Sequence, residues 1–396
     1  MADAATLDVT WRSALMLAVC TPVALAAIFL VSREVERAAT LWLAALLAAA
    51  VSCMAPQIIG FSNGYRVWPG LTFAPFDLEL FLGPLFYLHA DRLMRGGSMG
   101  WRRWLLLPGA LQLTYYSAAF LFLGDYRNKW AYNDAVHLPF ILPLQTIVSV
   151  GLFAWTLWAV RDLTVRYRDF LNATQSGPDA FEPIWLDRMV FIVAPAAALS
   201  AGLDIVTYFI RPVSYVSAFP ILVAVMAGVA VLGFEALTRL HRPFPKMGDW
   251  QPGQVHDAAE QRREFLPERD WANEGAIVRQ KVLANGWHLE PRLSIRELAA
   301  RLATNETYLS KALNQGLGET FSGFMNGLKV EAAKEMIARQ PDVPMLTIAH
   351  ESGFNSKATF NRVFREVTGQ TPTEFRQSSA RGLTDIEPGN GTATTL

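Results

Sequence analysis

The sequence contains few charged side chains and almost no cysteine. Of its 396 residues, 18% are Asp, Glu, Lys or Arg and 52% are hydrophobic, whereas about 25% of the residues of a typical soluble domain are charged. The only cysteines, Cys20 and Cys53, lie in apolar runs. This placement predicts two small buried side chains, with a redox or disulfide pair as the alternative. A fold held together by several disulfides is excluded.

The patterns that commonly mark an enzyme are also missing. The six histidines are scattered, and no His, Asp or Glu set has metal-ligand spacing. There is no Gly-rich phosphate loop and no Gly-x-Ser-x-Gly elbow. The sequence therefore predicts a protein that is not an enzyme and that holds no metal or other cofactor.

Long apolar runs dominate the sequence before Leu240, whereas charged and apolar residues alternate after Trp250. Seven of the runs approach or exceed the length of about 20 residues that crosses a bilayer. They are Ala14–Val31, Ala39–Phe61, Leu78–Leu93, Trp104–Leu123, Leu138–Val160, Met189–Ile210 and Tyr215–Leu237. A single run is compatible with a buried helix, but seven in succession favour a membrane domain. The first is too long for the apolar part of a signal peptide, so we expect it to be retained.

The arginines and lysines predict the orientation of these spans. The connections after the first, third, fifth and seventh runs are rich in Lys and Arg, and the alternate connections are not. Basic connections face the cytoplasm, which places the N-terminus outside and the C-terminus inside. We therefore expect a multi-pass protein of the inner, cytoplasmic membrane of a bacterium, in contact with the lipid bilayer.

Three ionisable residues near or inside these runs are candidates for sensing a signal. Asp204 lies within the sixth run, and His89 and Asp91 lie near the inner end of the third. An ionisable group inside a span is costly, and it usually faces the bundle interior or a ligand. The alternative for each residue is pairing with another polar group. The signal itself, a small molecule or a membrane property, is not identified by the sequence.

The C-terminal part has the period of short helices. Ser294 and Glu297 form a capping box that opens a first helix, and a turn leads to a second helix at about Asn305–Gln315. A longer helix, Phe321–Ala338, follows, with an apolar stripe at helical spacing. That stripe comprises Phe321, Phe324, Met325, Leu328, Ala332 and Ile337. By period alone, the first two of these helices with their turn predict a helix-turn-helix unit.

A second such unit begins at Leu346. Gly353 is expected to supply its turn with a positive φ, and Ser356 is expected to cap the next helix. Phe360 and Phe364 then face inward with Val363. This leaves polar side chains on the opposite face for DNA, namely Lys357, Thr359, Asn361, Arg362 and Arg365. Ser356, at the start of the helix, is also expected to contact DNA.

The stretch resembles the DNA-binding domain of AraC/XylS-type transcription regulators. The matching motifs are Leu309-Ser-Lys311, Asn314-Gln-Gly-Leu-Gly318, Val330-Glu-Ala-Ala333, Gly353-Phe-Asn-Ser356, Phe360-Asn-Arg-Val-Phe364 and Gly369-Gln-Thr-Pro372. A mild departure is Lys329, where the family often has Arg. The resemblance implies two helix-turn-helix units joined by a long helix, each offering a recognition helix to the major groove of double-stranded promoter DNA.

By position, the resemblance also implies which side chains read bases. They are Thr307, Ser310 and Lys311 in the first unit, and Lys357, Thr359, Asn361 and Arg362 in the second. Arg and Lys contact guanine, and Asn pairs with adenine. Between residues 272 and 377 there are 13 Lys and Arg against 11 Asp and Glu. Since phosphate contacts supply most of the affinity, we expect one copy to bind weakly and a homodimer to bind repeated sites.

The sequence as a whole predicts an all-α protein with a seven-span transmembrane helix bundle followed by a dual helix-turn-helix DNA-binding domain. The expected parts are a sensor domain at 1–240, a cytoplasmic linker at 241–271, a DNA-binding domain at 272–380 and a disordered tail at 381–396. The expected function is a membrane-embedded one-component transcription regulator that acts as an activator or a repressor, with any contact to RNA polymerase left open.

Two alternatives to this function remain. In one, the membrane half is transporter-like and the DNA-binding domain is a fused regulatory part. In the other, the spans are a passive tether, and proteolysis in the linker releases the DNA-binding domain.

Overall fold

The structure is a computed structural model that describes residues 6–209, 215–239, 243–248, 250, 270–340 and 342–384. Within these ranges the regular secondary structure is helical, apart from one isolated β-bridge between Gln175 and Ser294. The chain forms two compact units. Unit 1 comprises Met1–Val165 and Pro183–Asp249, and unit 2 comprises Arg166–Glu182 and Trp250–Leu396. The predicted all-α class is thus confirmed.

Ten α-helices begin among the described residues of unit 1. They are α1 (Trp11–Val31), α2 (Arg37–Cys53), α3 (Ala55–Phe61), α4 (Gly64–Val67), α5 (Glu79–Met94), α6 (Leu107–Phe122), α7 (Tyr126–Tyr132), α8 (Leu142–Thr174), α9 (Ile184–Phe209) and α10 (Tyr215–Arg239). Helix α1 packs against α2 and α10, α2 packs against α5, and α9 packs against α10. Both cysteines are free, Cys20 being buried and Cys53 half-buried.

Five helical segments among the described residues have the length and composition to cross a membrane. They are Trp11–Val31, Arg37–Phe61, Gly100–Phe122, Tyr126–Thr174 and Val216–Arg239. The third predicted span corresponds to α5, which has only 16 residues. The sixth corresponds to α9, several of whose side chains lie outside the described residues. The number of seven spans therefore stays a prediction.

The outer faces of the long helices of unit 1 are apolar. Phe122 is 84% exposed, Phe191 78% and Ile28 69%, whereas Leu43, Leu47 and similar side chains fill the interior. So many exposed large hydrophobic side chains are typical of a surface that contacts lipid or another protein.

Helix α8 extends well beyond the predicted fifth span. Its first part continues a π-helical segment, Asn133–Ile141, which contains Pro139; a proline has no N–H group to close a regular helical turn. Its last part carries Arg161, Arg166 and Arg168, which the sequence predicts in a loop. The apolar run ends at Val160, as predicted, but the helix itself continues to Thr174.

The described residues of unit 2 form seven further α-helices. They are α11 (Trp271–Ala284), α12 (Ile295–Arg301), α13 (Glu306–Lys311), α14 (Phe321–Arg339), α15 (Met345–Glu351), α16 (Lys357–Thr368) and α17 (Pro372–Thr384). The first half of α14 packs with α11, α12 and α13 around one apolar core, which includes Leu298, Leu309 and Phe324. Its second half packs with α15 and α16 around another.

Several predicted details of unit 2 are confirmed. Ser294 and Glu297 form the capping box, Ser356 caps α16 by accepting a hydrogen bond from the Thr359 N–H, and Gly353 has a φ of +85°. In α14 the buried position is Ala333, and Ala332 is only half-buried. At that point the apolar stripe lies one residue later than the sequence predicts.

The predicted boundaries of unit 2 need one correction. The second predicted helix is regular only to Lys311 and then widens into a π-helical turn, Ala312–Leu317. This turn contains Gly316, where a Cβ would lie 2.0 Å from the Trp271 carbonyl oxygen, so the close approach of the two backbones requires glycine. The predicted tail begins inside α17, and residues 385–396 lie outside the described residues, as does most of the predicted linker.

Candidate nucleic-acid interface

Helix α16 has one apolar and one polar face. Phe360, Val363 and Phe364 are at most 2% exposed. The rings of Phe360 and Phe364 lie 5.6 Å apart, and the ring of Phe375 packs against Phe364 at 5.5 Å. This packing fixes the rotation of the helix about its axis. The opposite face is therefore presented in one orientation.

The second set of predicted DNA-contacting residues lies on or beside that polar face. Lys357, Asn361 and Arg365 are exposed, and their spacing of four residues aligns them along the helix. Thr359 is half-buried, and its hydroxyl is 3.0 Å from that of Ser356 at the N-cap. The α16 face thus combines two cations, an amide and hydroxyls, which are the groups that contact bases and phosphates.

Arg362 is exposed but not free. Its Nη2 donates to Asp179 Oδ1 at 2.8 Å and Oδ2 at 2.7 Å, and its Nη1 donates to the Glu366 carboxylate at 2.9 and 3.0 Å. The side chain of Arg362 remains 49% exposed. A guanidinium held by two carboxylates must give up at least one of them before it can contact guanine or phosphate.

The first set of predicted DNA-contacting residues is less uniform. Thr307 is exposed, and Ser310 is half-buried and accepts a hydrogen bond from Asn314. Lys311 differs from the expectation, because it is only 7% exposed and its Nζ lies 6.0 Å from the centre of the Trp271 ring. The apolar stem is buried beside α11, so Lys311 presents little surface for DNA in this arrangement.

Sequence reasoning missed a segment of unit 2 that lies next to Arg362 of α16. Residues 175–182 follow α8 in the chain, yet they pack in the same unit as α14 and α16. Ser176 is 1% exposed, and its carbonyl oxygen accepts from Lys329 Nζ at 3.5 Å. Burial lowers the pKa of Lys329 to about 8. No local pattern indicates these contacts, since the partners are 153 positions apart.

The candidate sensing residues of unit 1 have structural partners where they are described. His89 is fully buried, with its Nδ1 2.7 Å from the Ala39 carbonyl oxygen. Asp91 is 1% exposed and forms ion pairs with Arg102 at 3.4 Å and Arg95 at 3.8 Å. The side chain of Asp204 lies outside the described residues. Signal sensing by these three residues stays a prediction.

Unit 1 also contains a partly open cavity of about 730 Å³. Apolar side chains such as Phe86 and Met226 form much of its lining, and Asp77 and Glu79 reach it together with Tyr116. Asp77 accepts a hydrogen bond from Gln145 at 2.8 Å, and Glu79 accepts one from Ser149 at 2.5 Å. An apolar chamber with a few convergent polar groups suits a small molecule with an apolar body and a donating or cationic end.

The described residues contain no group of three or more His, Cys, Asp and Glu side chains placed to hold a metal ion.

Comparisons with known proteins concern the C-terminal part of the chain. A family model described as a helix-turn-helix domain matches residues 298–378. A protein of Staphylococcus aureus, named as an HTH-type transcriptional regulator, is 36% identical over 89 residues, which are 22% of this chain and 12% of that protein. The transcriptional regulatory protein YesN of Bacillus subtilis strain 168 is 30% identical over 135 residues, 33% of this chain and 37% of YesN. No solved structure matches the chain.

The chain thus covers less than half the length of each of these relatives. The matched residues include α13–α16 and parts of α12 and α17, with much of the first apolar core, the whole of the second and the polar face of α16. The C-terminal part of this chain therefore contains a helix-turn-helix domain.

Proposed function

We propose that this protein is a membrane-embedded one-component transcription regulator. The observation that carries the proposal is the presence, in one chain, of a helix-turn-helix domain and of helices long and apolar enough to cross a membrane. The DNA-binding domain would bind promoter DNA sequence-specifically, and the membrane domain would sense the signal that controls this binding.

Two helix-turn-helix units are proposed within the DNA-binding domain. The support is the pair of separate apolar cores that share α14. Each core holds a helix that opens with a side-chain cap, Asn305 before α13 and Ser356 before α16. The two helices are the candidate recognition helices. The small excess of positive charge favours a homodimer on repeated half-sites, because one copy neutralises few phosphates.

Membrane insertion is supported by the apolar outer surface of unit 1. Side chains such as Phe122 and Phe191 would cost free energy in water, about 25 cal/mol for each Å² of apolar surface. Lipid removes that cost. With the basic connections on the inside, the N-terminus would lie outside and the DNA-binding domain in the cytoplasm of a bacterium.

The cavity of unit 1 supports the sensing part of the proposal. Its volume of about 730 Å³ is in the range of small-molecule sites. The same cavity suits a transporter-like membrane domain with a fused regulatory part, which is the second candidate. Uptake of a molecule that binds the cavity, measured in vesicles, would favour this second candidate.

The test is selection of binding sites from random duplex DNA by the detergent-solubilised full chain. The Lys357→Ala, Arg362→Ala double variant should lose the selected sequence preference, because it removes two candidate base contacts. Arg339→Ala is the matched control, since Arg339 is an exposed cation at the end of α14 that pairs only with Glu335 among the described residues. It should retain the selected preference.

Membrane fractionation of the same proteins completes the test. The proposal predicts that the full-length chain sediments with the inner membrane and resists extraction by carbonate. A full-length chain that stays in the soluble fraction, or a selection that enriches no sequence, contradicts it. A shorter soluble fragment that carries the DNA-binding domain favours the tether with proteolytic release.

A further inference from the structure

The segment of residues 175–182 lies in a cleft of unit 2, beside the surface proposed to bind DNA. Its start is held by the first core, since the Ser176 N–H donates to the Leu293 carbonyl oxygen at 3.1 Å and Gln175 forms an antiparallel bridge with Ser294. These are the residues that open α12. The segment is thus attached to the entry of the first helical unit by backbone hydrogen bonds.

The middle of the segment meets the second unit. A Cβ on Gly177 would lie 3.0 Å from Asn355 Nδ2 and 3.0 Å from the Pro291 carbonyl oxygen, so only glycine fits this passage without displacement. Asn355 itself donates to Pro291 at 3.0 Å. Pro178 is buried next to these residues. The segment is therefore packed between the turn before α16 and the loop before α12.

Two cations of the DNA-binding domain face the segment. Lys329, which is 2% exposed, donates to the Ser176 carbonyl oxygen, and Arg362 holds the Asp179 carboxylate with two hydrogen bonds from one nitrogen. A carboxylate on a recognition-helix arginine occupies the position that a phosphate or a guanine edge would take. Bound DNA and the docked segment would compete for Arg362.

We propose that residues 175–182 are an internal ligand of the DNA-binding domain and that Asp179 competes with DNA for Arg362. The surface that receives the segment is formed by Lys329, Asn355 and Arg362 with the loop around Leu293. Docking lowers the affinity for DNA, and release of the segment raises it. The inference rests on the proposed function, because it assumes that the polar face of α16 binds DNA.

Helix α8 gives the segment a direct covalent route to the sensing domain. It begins near the cavity, which Ser149 lines, and ends at Thr174, immediately before the segment. A change of the cavity that shifts or rotates α8 along its axis would pull on residues 175–182. The contact between Asp179 and Arg362 can be broken at small cost, because the two side chains form a partly exposed ion pair.

The test uses the full chain in detergent and a labelled duplex that carries the selected sequence. Asp179→Asn should raise the affinity by about fivefold at low salt, the factor expected when a partly exposed ion pair is lost from the competing docked form. Glu335→Gln is the control, since it removes the same charge from an exposed position on α14. It should change the affinity by less than about twofold.

A second variant locks the segment. Gln175 and Ser294 face each other across the antiparallel bridge, so the pair Gln175→Cys, Ser294→Cys is placed to form a disulfide. The oxidised protein should bind the duplex at least about tenfold more weakly than its reduced form, because the disulfide removes the undocked population that DNA selects. Reduction should restore binding.

Equal affinities of Asp179→Asn and Glu335→Gln overturn the inference while leaving the proposed function in place, provided that wild type binds the duplex. A locked protein that binds as tightly as its reduced form does the same. If neither wild type nor any variant binds a selected sequence, the proposed function itself is wrong and the inference is lost with it.

Discussion

Replacing Gly353 by alanine is expected to damage the second helical unit more than the same replacement at Gly369 or Gly327. Gly353 forms the turn between α15 and α16 with a φ of +85°, a region that costs an L-residue about 1–2 kcal/mol. In addition, a Cβ at this position would lie 2.6 Å from the carbonyl oxygen of Leu289. This neighbour is backbone, so it cannot rotate away as a side chain would.

The magnitude follows from these two effects. Crowding in a packed interior commonly costs about 1–3 kcal/mol, so with the strain we expect Gly353→Ala to lower the free energy of opening α16 by about 2–5 kcal/mol. Two other glycines separate the effects. At Gly369, φ is +76° but a Cβ would meet nothing within 4 Å, so only the backbone strain is present. At Gly327, inside α14, a Cβ would also meet nothing within 4 Å, and the backbone is helical, so neither effect is present.

The assay is hydrogen exchange of the α16 amides in the detergent-solubilised full chain, under conditions where exchange reports the opening free energy. Gly369→Ala should cost only about 1–2 kcal/mol, from strain alone. Gly327→Ala should leave α16 unchanged or stabilise it by up to about 1 kcal/mol, since alanine is the better helix former. A Gly353→Ala protein that exchanges like wild type, or like Gly369→Ala, would refute the close approach to Leu289.

Three further predictions concern other parts of the chain. Burial lowers the pKa of Lys329 from 10.5 to about 8, so between these pH values the unfolded chain binds more protons than the folded chain. The free energy of unfolding should therefore rise with pH by up to about 3 kcal/mol. Melting curves at pH 7 and pH 10 should show this rise in wild type and not in Lys329→Met. Ser294→Ala should destabilise α12 by about 1 kcal/mol, as measured by hydrogen exchange of the α12 amides. It should also raise the pKa of Glu297, because hydrogen bonds from Ser294 hold that pKa below its usual value. Asp77→Asn should alter the response of a reporter gene to the signal while leaving DNA affinity in vitro unchanged; a change in that affinity would contradict a purely sensing role for the cavity.

The local signals of the C-terminal part predict its caps, its turn and its apolar faces. Caps, turn glycines and apolar periods act over three or four residues, and the expected roles of Ser294, Gly353 and Ser356 are all found in the structure. The burial of Phe360 and Phe364 also follows from helical spacing. Such features depend on neighbours in the sequence, which is why they can be predicted.

The features that sequence reasoning missed depend on distant contacts. Lys311 has the pattern of an exposed recognition-helix lysine, but its burial is decided by Trp271 of α11. Asp179 meets Arg362 across 183 positions, and no period or motif connects the two. Helix α8 exceeds its predicted end because hydropathy marks where a span meets water, and a helix can continue beyond that point.

The most direct test of the central claim is chromatin immunoprecipitation of the full-length protein from washed membranes, in parallel with the Lys357→Ala, Arg362→Ala variant. The account predicts discrete promoter peaks that co-purify with the intact membrane-bound chain and disappear in the variant. Peaks that are recovered only with a shorter soluble fragment, or that persist unchanged in the variant, would contradict it.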